Sequence, residues 1–238
     1  VRVRIVLPTY NERQNLGRVA EGVLRHPWAD LLVVDDASPD GTGTLADELA
    51  ARAPDRVAVL HRTGPRGLGR ALADGLAWAL RCGAGGIGQM DADLSHGPEY
   101  WPALYAALAE ADVVIGSRYL RGVSVVNWPL HRIALSAFAN RYIRAITGLG
   151  ATDCTSGFRL WRRDALAEVP FADARANGYA FLTEMLYEAA RGGCRIREVP
   201  IIFVEREEGY SKVSQSVLAE SLWTPWRLVF RGGRIAPR

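Results

Sequence analysis

Short, nearly unbroken apolar runs alternate with amphipathic stretches through the first half of the chain. Val3-Arg4-Ile5-Val6-Leu7 is followed by a helical pattern beginning near Gln14. Leu31-Leu32-Val33-Val34 precedes a predicted helix from about Thr44 to Arg52, and Val57-Ala58-Val59-Leu60 precedes one from about Leu68 to Leu80. Gly86 to Met90 leads into a helix near Glu99 to Ala109, and Val113-Val114-Ile115 follows. Val/Ile/Leu runs with helices between them predict an α/β fold, a mostly parallel central sheet flanked by helices on both faces. Ligands of such sheets sit beyond the carboxyl ends of the strands. The polar residues that follow each apolar run are therefore the first place to look for chemistry.

From about Val123 the texture changes. A helical pattern opens at Val126-Asn127-Trp128-Pro129-Leu130-His131-Arg132 and runs to about Thr147, mixing Leu, Ile, Phe and Tyr with Arg132, Arg141 and Arg144. Val217 to Phe230 repeats it with Leu218, Leu222, Trp223, Trp226, Leu228 and Phe230. Apolar and aromatic residues with arginine alongside suit helices lying in a membrane interface. Helices packed on the core would carry the same pattern, so both readings stand. The expectation is a single catalytic domain over 1–238, with a nucleotide-sugar half to about 120 and an acceptor or membrane half beyond.

Composition narrows the partners. A net charge of +3 over 238 residues gives no argument for nucleic acid. Lys212 is the sole lysine, so arginine is informative here only through its position. Cys82, Cys154 and Cys194 follow no metal-ligand spacing and read as reduced thiols of a cytosolic protein. No apolar window is long enough to span a bilayer, and no signal peptide opens the chain. Because it begins at Val1, a membrane-anchoring partner or fused domain stays open as an expectation.

The richest chemistry follows the fourth run, in Met90-Asp91-Ala92-Asp93-Leu94-Ser95-His96. Carboxylates two residues apart on a strand end point the same way and repel, unless a cation lies between them. A hard divalent ion, Mg²⁺ or Mn²⁺, would resolve that conflict and leave coordination positions for substrate phosphate. An Asx-rich turn is the alternative for the same residues. Carboxylates also follow the first run, in Pro8-Thr9-Tyr10-Asn11-Glu12, and the second, in Asp35-Asp36-Ala37-Ser38-Pro39-Asp40-Gly41-Thr42; Gly116-Ser117-Arg118-Tyr119 closes the fifth. Asn11 also reads as a helix cap.

Those segments recur in one group, together with Gly67-Leu68-Gly69, Ser156-Gly157-Phe158-Arg159 and Glu198-Val199-Pro200-Ile201 running on to Arg206, Gly209, Ser211 and Lys212. The chain resembles the family 2 glycosyltransferases with the GT-A fold, and among them the polyprenyl (dolichyl) monophosphate mannose synthases. The resemblance implies GDP-mannose as donor, a polyprenyl or dolichyl phosphate as acceptor, Mg²⁺ or Mn²⁺ as cofactor, and a peripheral position on the cytoplasmic face of a membrane. It implies that Pro8, Tyr10, Glu12, Val34 and Asp36 hold the nucleoside. Asp91, Ala92 and Asp93 would meet the sugar diphosphate, with Asp93 the direct metal ligand, Asp91 assisting, and Ser95 where some relatives carry a metal-binding Gln. Arg118, Arg132, Arg206 and Lys212 would neutralise phosphates, Arg118 at the acceptor.

His96 reads as structural, because a phosphate monoester with a second pKa near 6 is already a charged nucleophile and needs no base. Asp153 reads as a sugar or acceptor contact, or as a turn cap. Relatives commonly carry Gln where Leu182 stands, which leaves the sugar open. The alternatives are UDP-glucose as donor, or a catalytically silent nucleotide-binding subunit of a membrane complex.

Overall fold

The computed structural model describes residues 1–171, 179–205 and 215–236, and for residues 179 and 215–219 the backbone alone. In chain order the elements are β1 (Val3–Thr9), α1 (Arg13–Leu24), β2 (Ala29–Asp35), α2 (Thr42–Arg52), β3 (Val57–His61), α3 (Leu68–Arg81), β4 (Gly86–Gln89), and a 3₁₀ turn at Pro98–Tyr100 leading into α4 (Trp101–Ala107). There follow β5 (Val113–Ser117), β6 (Val125–Val126), α5 (Leu130–Thr147), β7 (Arg159–Arg162), α6 (Arg163–Ala167), α7 (Tyr179–Arg191), β8 (Ile196–Pro200), β9 (Phe203–Val204) and α8 (Gln215–Gly232).

Among the described residues, seven strands form one sheet in the order β3-β2-β1-β4-β7-β5-β8. All pairings are parallel except those of β7, which runs antiparallel to both β4 and β5. Strand alternation divides the core into two layers. Val3, Ile5, Leu7, Leu31 and Val33 pack with Leu16, Val19 and Val23 of α1 and with Trp101 and Leu104 of α4. Val6, Leu32 and Val34 pack on the other face with Ala71, Leu72 and Leu76 of α3. Helix α3 lies so close that a Cβ on Gly75 would fall 2.5 Å from Val6 Cγ1. Both faces are covered, which is why the apolar runs are continuous rather than alternating.

The five strands of the first half fall where the apolar runs predict them. Strand β7 is not visible in the pattern, because its first residue, Arg159, is fully buried. Its guanidinium donates to the carbonyls of Cys154, Ser156 and Leu182 at 2.7–2.9 Å. Burial lowers its pKa to about 10, so it stays protonated near neutrality. Leu182, the position left open for the sugar, is a buried core residue whose carbonyl serves that arginine.

The antiparallel sense of β7 matters for the site. Its start, Arg159, pairs with Gln89 at the end of β4. The loop 153–158 is thereby delivered to the same rim as the carboxyl ends of the parallel strands.

Helices α5 and α8 both pack and present apolar surface. Asn140, Ile143 and Thr147 of α5 and Thr224 and Leu228 of α8 are buried. On the opposite faces Leu130 is 84% exposed, Trp223 61% and Phe230 75%, alongside exposed Leu135, Phe138, Leu222 and Trp226. Tyr142 joins the two helices, donating to the Leu222 carbonyl at 2.9 Å and accepting from Trp226 Nε1 at 2.9 Å. Each helix thus packs one face on the core and leaves an apolar face exposed. Among the described residues no helix is long and apolar enough to cross a membrane.

Candidate active site

The loops after β1 and β2 are tied to each other. Glu12 occupies the N-cap position of α1, and its backbone N–H donates to Thr42 Oγ1 at 3.0 Å. Arg13 N donates to Asp40 Oδ2 at 3.2 Å, while Asp40 Oδ1 takes the N–H and hydroxyl of Thr42. The side-chain cap read for Asn11 is therefore supplied by Asp40 across the loops; Asn11 instead turns the chain at φ +60°. Desolvation would raise the Asp40 carboxyl, but the hydrogen bonds it accepts from Thr42, Arg13 and its own backbone outweigh it, and its pKa is lowered.

Ala37 and Leu94 also adopt positive φ, at +56° and +62°, in the loops after β2 and β4. A non-glycine residue held there costs on the order of 1–3 kcal/mol, and such strain gathers at functional loops.

Asp36 is nearly buried and faces Arg62, with Gly67 N donating to Oδ2 at 2.8 Å. Arg62 also reaches Asp74 at 2.7 Å and the Pro65 carbonyl at 3.2 Å. The loop 62–67 is thus gathered around the acid that ends the second strand. Arg66 lies over the Tyr10 ring, 4.7 Å from its centroid, and donates to the Tyr10 hydroxyl at 2.6 Å. Pro8, Val34 and Ala92 are buried, so they offer shape and main chain rather than side-chain chemistry. Arg62 is a site residue the sequence reading passed over, because its partner stands 26 positions away.

Strand β4 lies next to β1, and β1 next to β2. At about 4.8 Å per strand, the Asp-x-Asp loop emerges beside the Tyr10 and Asp36 loops. Asp93 Oδ1 accepts from Ser95 N at 3.1 Å and Ser95 Oγ at 2.5 Å, so the serine orients that carboxylate. The Asp91 side chain is 37% exposed. A Cβ on Gly157 would stand 3.3 Å from Asp91 Oδ1, so glycine keeps the flank of that carboxylate clear.

Among the described residues no group of three His, Cys, Asp or Glu side chains is placed to hold a metal ion. Asp91, with its clear flank, and Asp93, oriented by Ser95, fit instead a hard cation that completes its shell from water and a diphosphate.

His96 is buried against the Phe158 ring and the edge of Phe203. Asp91 N donates to its Nδ1 at 3.2 Å, which assigns the proton to Nε2. Burial lowers its pKa despite Asp91 and Asp93 nearby, so the ring is neutral at physiological pH. Replacing His96 by Phe is expected to cost about 1–3 kcal/mol of stability through the unsatisfied Asp91 N–H. The pH–rate profile should be unchanged, and loss of one of its limbs in that variant would make His96 a proton-transfer group.

On the other side of β7 the loop 152–158 is strapped to the ends of β5 and β8. Glu198 accepts from Thr152 N and Oγ1 at 2.7 Å and from Asp153 N at 3.0 Å. Ser156 Oγ donates to the Gly116 carbonyl at 2.7 Å. Asp153, fully buried, takes Arg118 Nε and Nη2 at 2.7 Å each and Arg118 N at 3.1 Å. Burial would raise the Asp153 pKa, but the charge and hydrogen bonds of Arg118 prevail and hold it below the ordinary value. Asp153 is therefore the counter-ion of Arg118, neither a turn cap nor an exposed contact.

Arg118 lies among the rings of Tyr119, Trp128 and Phe203 at 5.5–5.7 Å. Arg132 covers the Trp128 ring at 4.1 Å and pairs with Glu205. The small β6–β9 pairing and a hydrogen bond from Val204 N to the Ser95 carbonyl bring Glu205 to the Asp-x-Asp side of the rim. Arg206 and Lys212 lie outside the described residues.

A seven-stranded sheet with one antiparallel insertion and an Asp-x-Asp loop at its rim is the architecture of the GT-A glycosyltransferases. The structure matches glucosyl-3-phosphoglycerate synthase of Mycobacterium tuberculosis, solved with Mn²⁺, UDP and phosphoglyceric acid, at TM-score 0.69 and 20% identity, over 100% of this chain and 80% of that one. It matches mannosyl-3-phosphoglycerate synthase of Rubrobacter xylanophilus at TM-score 0.67 and 19% identity, over 97% and 73%.

The profile of "Glycosyl transferase family 2" matches residues 4–169, and the chain belongs to that family. It is 46% identical over 225 residues to the polyprenol monophosphomannose synthase of Mycolicibacterium smegmatis, covering 93% of this chain and 84% of that protein. It is also 46% identical over 237 residues to the undecaprenyl-phosphate mannosyltransferase of Micrococcus luteus, covering 97% and 96%.

Proposed function

We propose that this glycosyltransferase moves mannose from GDP-mannose to a polyprenyl (dolichyl-type) monophosphate, with inversion, giving a β-linked mannosyl phosphate lipid. The observation that carries the reading is the meeting, at one rim, of the Asp91/Asp93 loop with the Tyr10 and Asp36 loops on one side and the Arg118–Asp153 strap on the other. Two relatives at 46% identity, named as mannosyl transferases to polyprenol-type phosphates, support the donor sugar and the acceptor class.

In this reading residues up to about 120 form the donor half. Pro8, Tyr10, Glu12, Val34 and Asp36 shape the nucleoside pocket, with Arg62 fixing the Asp36 carboxylate. Asp91 and Asp93 are the residues that would hold Mg²⁺ or Mn²⁺, Ala92 lies between them, and Ser95 orients Asp93 rather than binding the ion itself. When bound there, such a cation offsets charge on the diphosphate and favours its departure.

Residues beyond about 121 form the acceptor half. Arg118 and Arg132 attract the acceptor phosphate, whose oxygen bonds to the anomeric carbon as the bond to GDP breaks on the opposite face. With a second pKa near 6, that phosphate is largely a dianion at neutral pH, and no side chain need remove a proton. Arg206 and Lys212 are proposed to close on the diphosphate.

The exposed faces of α5 and α8 rest on the cytoplasmic leaflet and present the rim to the lipid. Replacing Trp223 and Phe230 with Ser is expected to weaken partition onto phosphatidylcholine vesicles by on the order of 100-fold. Transfer to a short, water-soluble polyprenyl phosphate should persist in that variant.

The reading is tested by incubating the protein with labelled GDP-mannose or UDP-glucose, a short polyprenyl phosphate and Mg²⁺ or Mn²⁺. Label from GDP-mannose alone should enter the organic phase. Label from UDP-glucose instead, or none from either, would overturn the assignment.

A further inference from the structure

We propose a second anion site, remote from the rim, that takes the phosphate headgroup of an anionic membrane lipid. A groove of about 1040 Å³ runs along the end of α5 and is lined by Arg141, Arg144, Gly148, Cys194, Arg195 and Arg234, with no acidic side chain among the described residues of its lining. The arginines are not equivalent. Arg195 is committed to Asp112, with Nε and Nη2 at 3.1 and 3.0 Å from the carboxylate. Nearby Arg227 and Arg231 of α8 are likewise neutralised by Glu184 and Glu188. Among the described residues, Arg141, Arg144 and Arg234 have no side-chain hydrogen bond and no ion pair. Three exposed guanidinium groups, with no counter-ion among the described residues, converge on one groove, and guanidinium grips phosphate in bidentate fashion.

Two placements choose a lipid over a soluble anion. Arg195 and Ile196 stand at the start of β8, whose other end, Pro200, reaches the rim. Five residues of strand put the groove roughly 16 Å from the catalytic loops, so it is not a lobe of the donor pocket. Arg141 follows Phe138 by three residues on the exposed side of α5, and Phe138 stacks on Tyr142, the residue that joins α5 to α8. The groove therefore opens at the edge of the apolar face, where headgroups would lie if that face meets the bilayer. The inference rests on the membrane reading given above.

The test is co-sedimentation of the full chain with vesicles of phosphatidylcholine, alone or mixed with phosphatidylglycerol. The wild type should prefer the anionic vesicles, and Arg141→Gln/Arg144→Gln/Arg234→Gln should lose that preference by on the order of 100-fold. Binding of the triple variant to phosphatidylcholine, and its transfer to a short soluble acceptor, should match the wild type and show that it folds. A triple variant that keeps the preference overturns the site, as does a wild type that binds both vesicles equally. Thermal stabilisation of the wild type by inorganic phosphate without any vesicle preference would assign the groove to a soluble anion and overturn the lipid. A wild type that binds neither vesicle overturns the membrane reading together with the site.

Discussion

Replacing Asp93 with Ala is expected to lower transfer by on the order of 10³-fold, about 4 kcal/mol of transition-state stabilisation. The protein should stay folded. Asp93 sits in a loop, and the bonds it accepts from Ser95 N and Oγ are turn contacts worth about 1 kcal/mol each. A fall in melting temperature of a few degrees should therefore accompany a near-complete loss of turnover. That disproportion separates a residue at the reacting diphosphate from one that only shapes its loop. Ser95→Ala should lie between the two, losing the hydroxyl that aligns the carboxylate but keeping the carboxylate itself. Turnover retained by Asp93→Ala would detach the Asp-x-Asp loop from the chemistry.

Replacing Arg118 with Ala is expected to do both kinds of damage. Asp153 is fully buried, and without Arg118 it loses the ion pair and keeps only the weaker influence of the Arg159 guanidinium. Breaking a buried pair by removing one partner costs about 3–5 kcal/mol. Replacing both by apolar residues, Arg118→Met with Asp153→Leu, removes both charges and should recover most of that stability. The double variant should nonetheless transfer no sugar, because Arg118 is proposed to meet the acceptor phosphate. Recovery of activity with stability would reduce the pair to a structural strut.

The sign of the pH effect follows from the Asp153 pKa, which lies below its ordinary value of 3.8. The pair's contribution is complete above that ordinary value and is lost as pH falls through the lowered folded-state pKa. Acid unfolding of the wild type should carry this loss, and the double variant should lack it. Denaturant midpoints measured down the pH scale would show the difference.

The parallel half of the sheet was legible because strands covered on both faces leave unbroken apolar runs, and the acids that follow them mark the rim. The antiparallel β7 was not, since Arg159 stands at a fully buried position and is satisfied by three carbonyls that no local pattern announces. The ion pairs that shape the rim escaped for a related reason. Arg62 meets Asp36 across 26 positions and Arg118 meets Asp153 across 35, separations set by sheet order rather than by spacing. The paired Asp91 and Asp93 needed no such partner, since two like charges at one strand end pose their own question. For α5 and α8 the pattern left core packing and membrane contact open; the fold packs one face of each on the core and leaves the other, apolar, exposed.

The most direct measurement is the uptake of Mn²⁺ by the purified chain in the presence of GDP, followed by the loss of the free-ion electron paramagnetic resonance signal. The account predicts one GDP-dependent ion per chain in the wild type and none in Asp93→Ala at the same concentrations. Equal uptake by the variant, or transfer by a wild type that takes up no ion, would contradict it.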